Sequence, residues 1–91
     1  MLALERTGQF KRDYKREKAG QHSDLDEVFH EVLALLLSKQ PLPAARSDHP
    51  LKGDWRGYRD CHLKPDLVMI YKKTGRAVVL ARLGSHSELF G

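Results

Sequence analysis

The side chains that can move protons and bind phosphate lie mostly in the C-terminal half of this 91-residue chain. That half contains three of the five histidines, together with carboxylates and arginines. Histidine has the unperturbed side-chain pKa nearest neutrality, which suits it to general acid–base catalysis. Histidines beside an arginine on a basic chain therefore indicate chemistry on a phosphodiester. The side chains in question are His49, His62, His86, Asp60, Asp66 and Arg82.

Cleavage of RNA needs a base to deprotonate the ribose 2′-hydroxyl, an acid to protonate the leaving 5′-oxygen, and positive charge at the transition state. Two histidines and an arginine meet these needs without a metal. A zinc site is the other common use of three histidines. None of the histidines forms an HxxxH or HxH pair, and Cys61 is the single cysteine. We therefore predict no metal and no cofactor.

The composition is typical of one small globular domain, which we expect to span residues 1–91. Sixteen lysines and arginines against twelve aspartates and glutamates give a formal charge of +4, which favours a nucleic acid or an acidic protein as partner. A basic surface without a partner is the alternative. The longest apolar run, residues 32–37, is too short to cross a membrane, and the N-terminus lacks a signal-peptide pattern. Since the single cysteine also fits a reducing compartment, we expect the cytoplasm.

Apolar residues that alternate predict strands, and apolar residues spaced three and four apart predict helices. Short connections between the last three strands force them to pair antiparallel. The predicted fold is α+β, an antiparallel sheet with two N-terminal helices packed on one face, which leaves the opposite face free for a site. A loop at residues 44–54 carries His49. The predicted strands are residues 2–6, 55–63, 67–72 and 77–83, and the predicted helices are residues 9–19 and 23–38.

Strand alternation predicts which side chains share the open face of the sheet. Asp60 and His62 point to the same side, away from the helices. Arg82 is expected on that side too, because its two neighbours are apolar and should face the helices. His49 from the loop and His86 from the C-terminal tail can close over this face.

Two aromatic residues, Trp55 and Phe90, can stack on a base near this site. Each candidate also has a purely structural alternative. Asp60 can form an ion pair with a nearby arginine, and His62 can be an ordinary exposed strand residue. Asp66 can simply shape its turn, and Phe90 can be a core residue that fixes the C-terminus.

Three segments of the chain match a known family. They are Pro41-Leu42-Pro43 after the second helix, the block DHPLKGDWRGYRDCHLKPD from Asp48, and the ending LARLGSHSELFG. On these segments the chain resembles the YafQ-type toxins of the RelE/ParE superfamily, the ribonuclease half of type II toxin–antitoxin pairs. The resemblance covers nearly the whole chain and is strongest from Pro41 onward.

The resemblance implies a metal-independent endoribonuclease that enters the ribosomal A site, cleaves mRNA there and inhibits translation, with a preference for lysine-type, A-rich codons. It implies a microbial-ribonuclease-like sheet with two N-terminal helices. The implied partners are a cognate antitoxin, the ribosome and mRNA, with operator DNA reached through the antitoxin complex. A non-catalytic nucleic-acid-binding module and a ParE-like gyrase inhibitor are the alternatives, although the ParE-like branch lacks the histidine set.

The resemblance also implies the roles of individual residues. His49 is the general base and His86 the general acid, although the two labels can be exchanged. Arg82 binds the scissile phosphate and stabilises its transition-state charge. Phe90 orients the nucleotide.

The remaining positions support these four. His62 and Asp66 are implied to hold the charge and geometry of the site, with a share in proton transfer, and Asp60 is a supporting residue. All the family's active-site positions carry the expected residue type. They fall on His49, Asp60, His62, Asp66, Arg82, His86 and Phe90.

Overall fold

The computed structural model describes residues 2–91 and has the predicted α+β architecture. Five strands and three helices are joined by short connections that include two 3-10 turns, Ala44–Arg46 and Gly53–Trp55. The elements in chain order are β1 (Ala3–Arg6), α1 (Gly8–Ala19), α2 (Leu25–Leu37), β2 (His49–Pro50), β3 (Arg59–Lys64), β4 (Leu67–Lys73), β5 (Ala77–Gly84) and α3 (His86–Phe90).

The five strands form one sheet in the order β1-β5-β4-β3-β2. The pairs β2–β3, β3–β4 and β4–β5 are antiparallel, as the short connections predict. The exception is β1, which pairs parallel with β5 at the opposite end of the chain. The sheet is therefore mixed, which corrects the prediction of a wholly antiparallel sheet. No short connection links β1 to β5, so nothing local to the sequence sets their relative direction.

Helices α1 and α2 pack on one face of the sheet and form the main hydrophobic core with it. Burial of each large apolar side chain of this kind stabilises the fold by about 1.5–3 kcal/mol. Cys61 lies in this core without solvent contact, and burial raises the pKa of its thiol to about 12. The buried strand residues of this core are Cys61, Leu63, Leu67, Met69, Tyr71, Val78, Leu80 and Leu83.

The opposite face of the sheet is partly covered, where the sequence predicts an open surface. A second, smaller cluster of buried residues occupies it, and side chains from the β2–β3 connection and from α3 pack against that cluster. The buried members are Val68, Ile70, Ala81 and Leu89, and the partly buried ones are Leu51, Trp55, Tyr58 and Phe90.

An irregularity in the pairing of β4 with β5 places Ala81 in this second cluster. Ile70 pairs with Arg82, but Tyr71 pairs with Leu80, so β5 has one extra residue at this point. Such a bulge breaks the strict alternation of side chains along a strand. The prediction that Ala81 faces the helices is therefore wrong, because strand parity assumes an unbroken ladder.

Candidate active site

His49 belongs to a two-residue strand, β2, and not to a loop as predicted. The ladder aligns His49 with Asp60 of β3. The Nδ1 atom of His49 lies 2.9 Å from Oδ1 of Asp60 and also 2.9 Å from the carbonyl oxygen of Ser47. The carbonyl oxygen of Ser47 can only accept, so the hydrogen bond between them places a hydrogen on Nδ1 of His49 and, in the neutral tautomer, a lone pair on Nε2.

Asp60 is buried, with an exposure of 1%. Its Oδ1 is close to the His49 ring, yet the geometry is that of a contact and not of a hydrogen bond, and the His49 ring bonds Ser47 instead. Within residues 2–91, Asp60 Oδ1 is the buried side-chain atom left without a hydrogen-bond partner. Burial raises the pKa of Asp60, and the nearby histidines His49, His62 and His86 oppose that shift only in part.

His62 and His86 therefore lie near the same buried carboxylate as His49. His62 is a partly exposed residue of β3, two positions after Asp60, as strand alternation predicts. His86 is the exposed first residue of α3. Its ring centroid lies 4.9 Å from that of Phe90, which is four residues later on the same helix. The structure thus gathers the three predicted histidines and Asp60 on one side of the sheet.

The C-terminal segment that carries His86 and Phe90 is a short, capped helix. Ser85 Oγ accepts a hydrogen bond from the Glu88 amide at 3.2 Å, and Glu88 Oε1 accepts one from the Ser85 amide at 3.0 Å. This reciprocal pair is a capping box, which satisfies two backbone donors at the start of the helix. Leu89 is buried in the second cluster and anchors the helix to the sheet.

Arg82 is held by a carboxylate that the sequence analysis missed. Its Nε donates to Oδ2 of Asp13 at 2.8 Å, and its Nη2 donates to Oδ1 at 3.4 Å. Asp13 belongs to α1 and has no exposed surface. The signal in the sequence is an aspartate in the middle of a helix whose charged residues are mostly basic.

The segment before His49 is held by a second unpredicted group. Asp48 Oδ1 accepts hydrogen bonds from the Tyr71 hydroxyl at 2.5 Å and from Arg59 Nε at 3.2 Å. Tyr71 is buried, and burial together with the Asp48 carboxylate raises the pKa of its hydroxyl. The phenol therefore stays protonated and serves as a permanent donor to Asp48.

For two further predicted site residues, the structure shows no hydrogen bond or ion pair to the three histidines among residues 2–91. Asp66 is exposed in the turn between β3 and β4 and makes no hydrogen bond or ion pair within residues 2–91. It borders a groove that also reaches Ser85 and His22. Trp55 is in a 3-10 turn and not in β3, and its ring meets Tyr58 edge-on at 5.2 Å. The predicted strand start at residue 55 is therefore wrong, because Gly57 has a φ of 93°, which interrupts an extended strand.

Two further properties of residues 2–91 concern metal binding and membranes. No group of three or more histidine, cysteine, aspartate or glutamate side chains there is arranged to hold a metal ion. In the same residues, no helix is long and apolar enough to cross a membrane.

Known proteins resemble this chain in both structure and sequence. The crystal structure of YafQ from Escherichia coli BL21(DE3) superimposes with a TM-score of 0.87 at 36% identity and covers 100% of both chains. The toxin in a crystal structure of the E. coli DinJ–YafQ complex gives a TM-score of 0.85 at 38% identity, again over 100% of both chains. The mRNA interferase toxin YafQ of E. coli K12 is 40% identical over 88 residues, which are 97% of this chain and 95% of that protein.

Fold and site together define the class of this protein as a bacterial toxin of a type II toxin–antitoxin system. Within that class the chain belongs to the YafQ toxin family, whose model matches residues 2–91. The resemblance drawn from the sequence is thereby confirmed. The name of the E. coli relatives, mRNA interferase, denotes an endoribonuclease, which is the enzyme class that the sequence predicts.

Proposed function

We propose that this chain is an endoribonuclease that cleaves mRNA in the ribosomal A site and so inhibits translation. The 2′-hydroxyl of the substrate attacks the adjacent phosphorus, and the bond to the leaving 5′-oxygen breaks. The observation that carries this proposal is the position of the His49 ring. Its Nδ1 faces two acceptors at 2.9 Å, Ser47 O and Asp60 Oδ1, which leaves Nε2 as the group that can take a proton.

His49 is the general base in this mechanism. The carboxylate of Asp60 faces the Nδ1 side of the ring, so its charge stabilises the imidazolium that forms when Nε2 takes the proton. Asp60 thus supports the base from a buried position without touching the substrate. A proton-transfer group of this kind contributes about 10²–10⁴-fold to the rate.

His86 is the general acid, and it protonates the leaving 5′-oxygen. It is exposed at the start of α3, so it can reach a substrate that lies on the face of the sheet covered by this C-terminal helix. Phe90 packs beside it and presents a partly exposed ring on which a nucleotide can stack. Trp55 is a further stacking candidate, although its contact with Tyr58 leaves only part of its ring free.

Arg82 binds the scissile phosphate and stabilises the negative charge that develops on its oxygens. A guanidinium offers five N–H donors, and only the Nε and one Nη2 donor of Arg82 are used by Asp13. His62 and Asp66 hold the charge and geometry of the site and share in proton transfer. Since the histidines and the arginine supply base, acid and positive charge, we propose that cleavage needs no metal.

The proposed partners are a cognate antitoxin that neutralises the toxin, the ribosome and mRNA, with operator DNA bound through the antitoxin complex. The relative that was crystallised with DinJ supports the antitoxin partner. A net charge of +4 supports the polyanionic partners. A function on the ribosome implies that the protein acts in the cytoplasm.

Primer extension on mRNA from cells that express the chain tests the proposal. The wild-type chain should arrest growth and produce cuts within codons, and His86→Ala should remove both. His30→Ala is the matched control, because His30 is an exposed histidine of α2 on the opposite side of the sheet. Cuts that are unchanged in His86→Ala would overturn the role of His86. RNA binding without any cut would favour the non-catalytic module.

Two further measurements test the chemistry on purified ribosomes. Cleavage should continue in EDTA, and the upstream product should end in a 2′,3′-cyclic phosphate or a 3′-phosphate. Loss of cleavage in EDTA, with recovery on addition of a specific divalent ion beyond what the ribosome itself requires, would contradict the metal-free mechanism.

A further inference from the structure

Asp13 is the most heavily bonded side chain in the part of the chain that the structure describes. Its carboxylate has no exposed surface, although the basic residues of α1 are exposed. Burial alone raises the pKa of a carboxyl group, but the hydrogen bonds outweigh it and hold the pKa of Asp13 below its ordinary value. The donors are Gln9 Nε2 at 3.0 Å, Arg16 Nη1 at 2.9 Å, Arg82 Nε at 2.8 Å, Arg82 Nη2 at 3.4 Å and the Leu83 amide at 3.0 Å.

The geometry of the Asp13–Arg82 contact is specific. The carboxylate takes the side edge of the guanidinium, formed by Nε and Nη2, so the end edge that includes Nη1 is left free. The Arg82 side chain keeps an exposure of 27%. A bidentate contact on one edge fixes both the position and the plane of the group, which a single hydrogen bond does not do.

We propose that Asp13 is a positioning residue that aims the free edge of Arg82 at the scissile phosphate. This inference rests on the proposed function, since it assigns Arg82 to the phosphate. Asp13 itself lies behind the guanidinium and touches no substrate. It reaches Arg82 across 69 residues of sequence, so the alignment exists only in the folded chain.

The backbone around Asp13 explains why the carboxylate stays in place. Strand β1 ends at Arg6, and beyond it the edge of β5 bonds Thr7, which caps α1, and side chains of α1 instead of a strand. Thr7 Oγ1 donates to the Ala81 carbonyl at 2.9 Å, and Arg16 Nη2 donates to the Leu83 carbonyl at 3.0 Å. The hydrogen bond from the Leu83 amide to Asp13 is a third contact of this kind. Hydrogen bonds from side chains at α1 thus satisfy the backbone groups along this stretch of β5 and hold α1 against it.

The contribution of Asp13 differs from a simple gain in phosphate affinity. Its negative charge partly neutralises Arg82, so removal of that charge does not weaken the attraction of Arg82 for phosphate. What is lost is the fixed orientation of the Arg82 guanidinium. A displacement of about 1 Å in a reacting group can cost about 10²-fold in rate. Asp13→Asn should therefore lower the single-turnover cleavage rate on saturating ribosome complexes by about 10²-fold. The KM for those complexes should change less than about threefold, as expected when an interaction made only at the transition state is lost.

A double-mutant cycle separates positioning from general damage to the fold. If Asp13 acts through Arg82, then Asp13→Asn should reduce the rate strongly in the wild-type background and less than about twofold in an Arg82→Ala background. A similar reduction in both backgrounds would overturn the proposal. Asp26→Asn is the matched control, because Asp26 is a helix carboxylate that pairs with Lys18 on the surface, and its loss should leave the cleavage rate unchanged.

A nuclear magnetic resonance measurement tests the hydrogen bonds between Asp13 and Arg82 without relying on activity. In the wild-type chain the Nε–H signal of Arg82, assigned by its loss in Arg82→Ala, should exchange with water much more slowly than those of the exposed Arg56 and Arg76. Asp13→Asn should remove this protection. An Arg82 signal that exchanges as fast as that of Arg56 would overturn the proposal, even if Asp13→Asn failed to fold.

The two measurements also separate this inference from the proposed function. A wild-type chain that never cuts mRNA overturns the proposed function, and the exchange of Arg82 Nε–H still decides whether Asp13 fixes that guanidinium. A chain that cuts mRNA, with Arg82 protected but no coupling in the double-mutant cycle, keeps the function and rejects the positioning role.

Discussion

The hydroxyl of Tyr71 donates a hydrogen bond to Asp48 at 2.5 Å and so ties the middle of β4 to the residue that precedes His49. Arg59 bonds the same oxygen of Asp48 from β3. The short strand β2 consists of only two residues, so its ladder with β3 is a weak restraint by itself. The Tyr71–Asp48 bond therefore helps to fix the direction of the His49 ring.

Tyr71→Phe should lower both stability and cleavage. Loss of the hydroxyl removes a hydrogen bond to a charged acceptor, which contributes about 1.5–3 kcal/mol. Release of the segment around His49 should also slow cleavage by about tenfold, since catalysis depends on the placement of the base. Urea unfolding and primer extension measure the two effects.

Tyr14→Phe is the matched control for this substitution. The Tyr14 hydroxyl also bonds a carboxylate, that of Asp26, on the helix side of the molecule. Its loss should lower stability without slowing cleavage. If Tyr14→Phe slowed cleavage as much as Tyr71→Phe, the effect would belong to global stability and not to the placement of His49.

Asp60→Asn should stabilise the fold at neutral pH and reduce cleavage. Burial raises the folded-state pKa of Asp60 above the ordinary value of 3.8, so its ionised form destabilises the folded state once the pH exceeds that raised pKa. The gain on removal of the charge should be on the order of 1 kcal/mol at about pH 7. Cleavage should fall because the imidazolium of His49 loses its counter-charge.

Urea midpoints at several pH values check the sign of the Asp60 effect. The advantage of Asp60→Asn should shrink as the pH falls towards the ordinary pKa of an aspartate, because the wild-type carboxyl is then protonated as well. An Asn variant that is less stable than the wild type at neutral pH would contradict this prediction.

Asp13 should give the opposite dependence of stability on pH. Its folded-state pKa lies below the ordinary value of 3.8, so its contribution to stability is present above that value and is lost as the pH falls through the folded-state pKa. Between about pH 5 and pH 2 the wild type should therefore lose more stability than Asp13→Asn. Chemical unfolding of both proteins across this range measures the difference, and parallel curves would show that Asp13 is not the group responsible.

The pH dependence of cleavage should distinguish the base from the acid. With His49 as base and His86 as acid, the wild-type profile of single-turnover rate is bell-shaped. The residual activity of His49→Ala should lose the acidic limb, and that of His86→Ala the alkaline limb. The reverse pattern would exchange the two roles, while leaving the proposed reaction in place.

Much of the fold follows from local patterns in the sequence. The apolar spacing of α2 predicts the side that it buries, and short connections predict the antiparallel pairing of β3, β4 and β5. Alternation along β3 predicts that Asp60 and His62 share a face. These features depend on residues near one another in the chain, where the backbone geometry allows few alternatives. The motif Ser85-x-x-Glu88 also matches the capping-box pattern with which α3 begins.

By itself, the sequence determined which types of side chain the site contains and the local helices and strands that carry them. Residue type and short-range periodicity are properties of the chain alone. Only the tertiary structure decided the parallel pairing of β1, the pairing of His49 with Asp60, and the carboxylate that holds Arg82. The physical reason is distance along the chain. Asp13 and Arg82 are 69 residues apart, and contacts of that kind form only when the packing of the core fixes how α1 lies against β5.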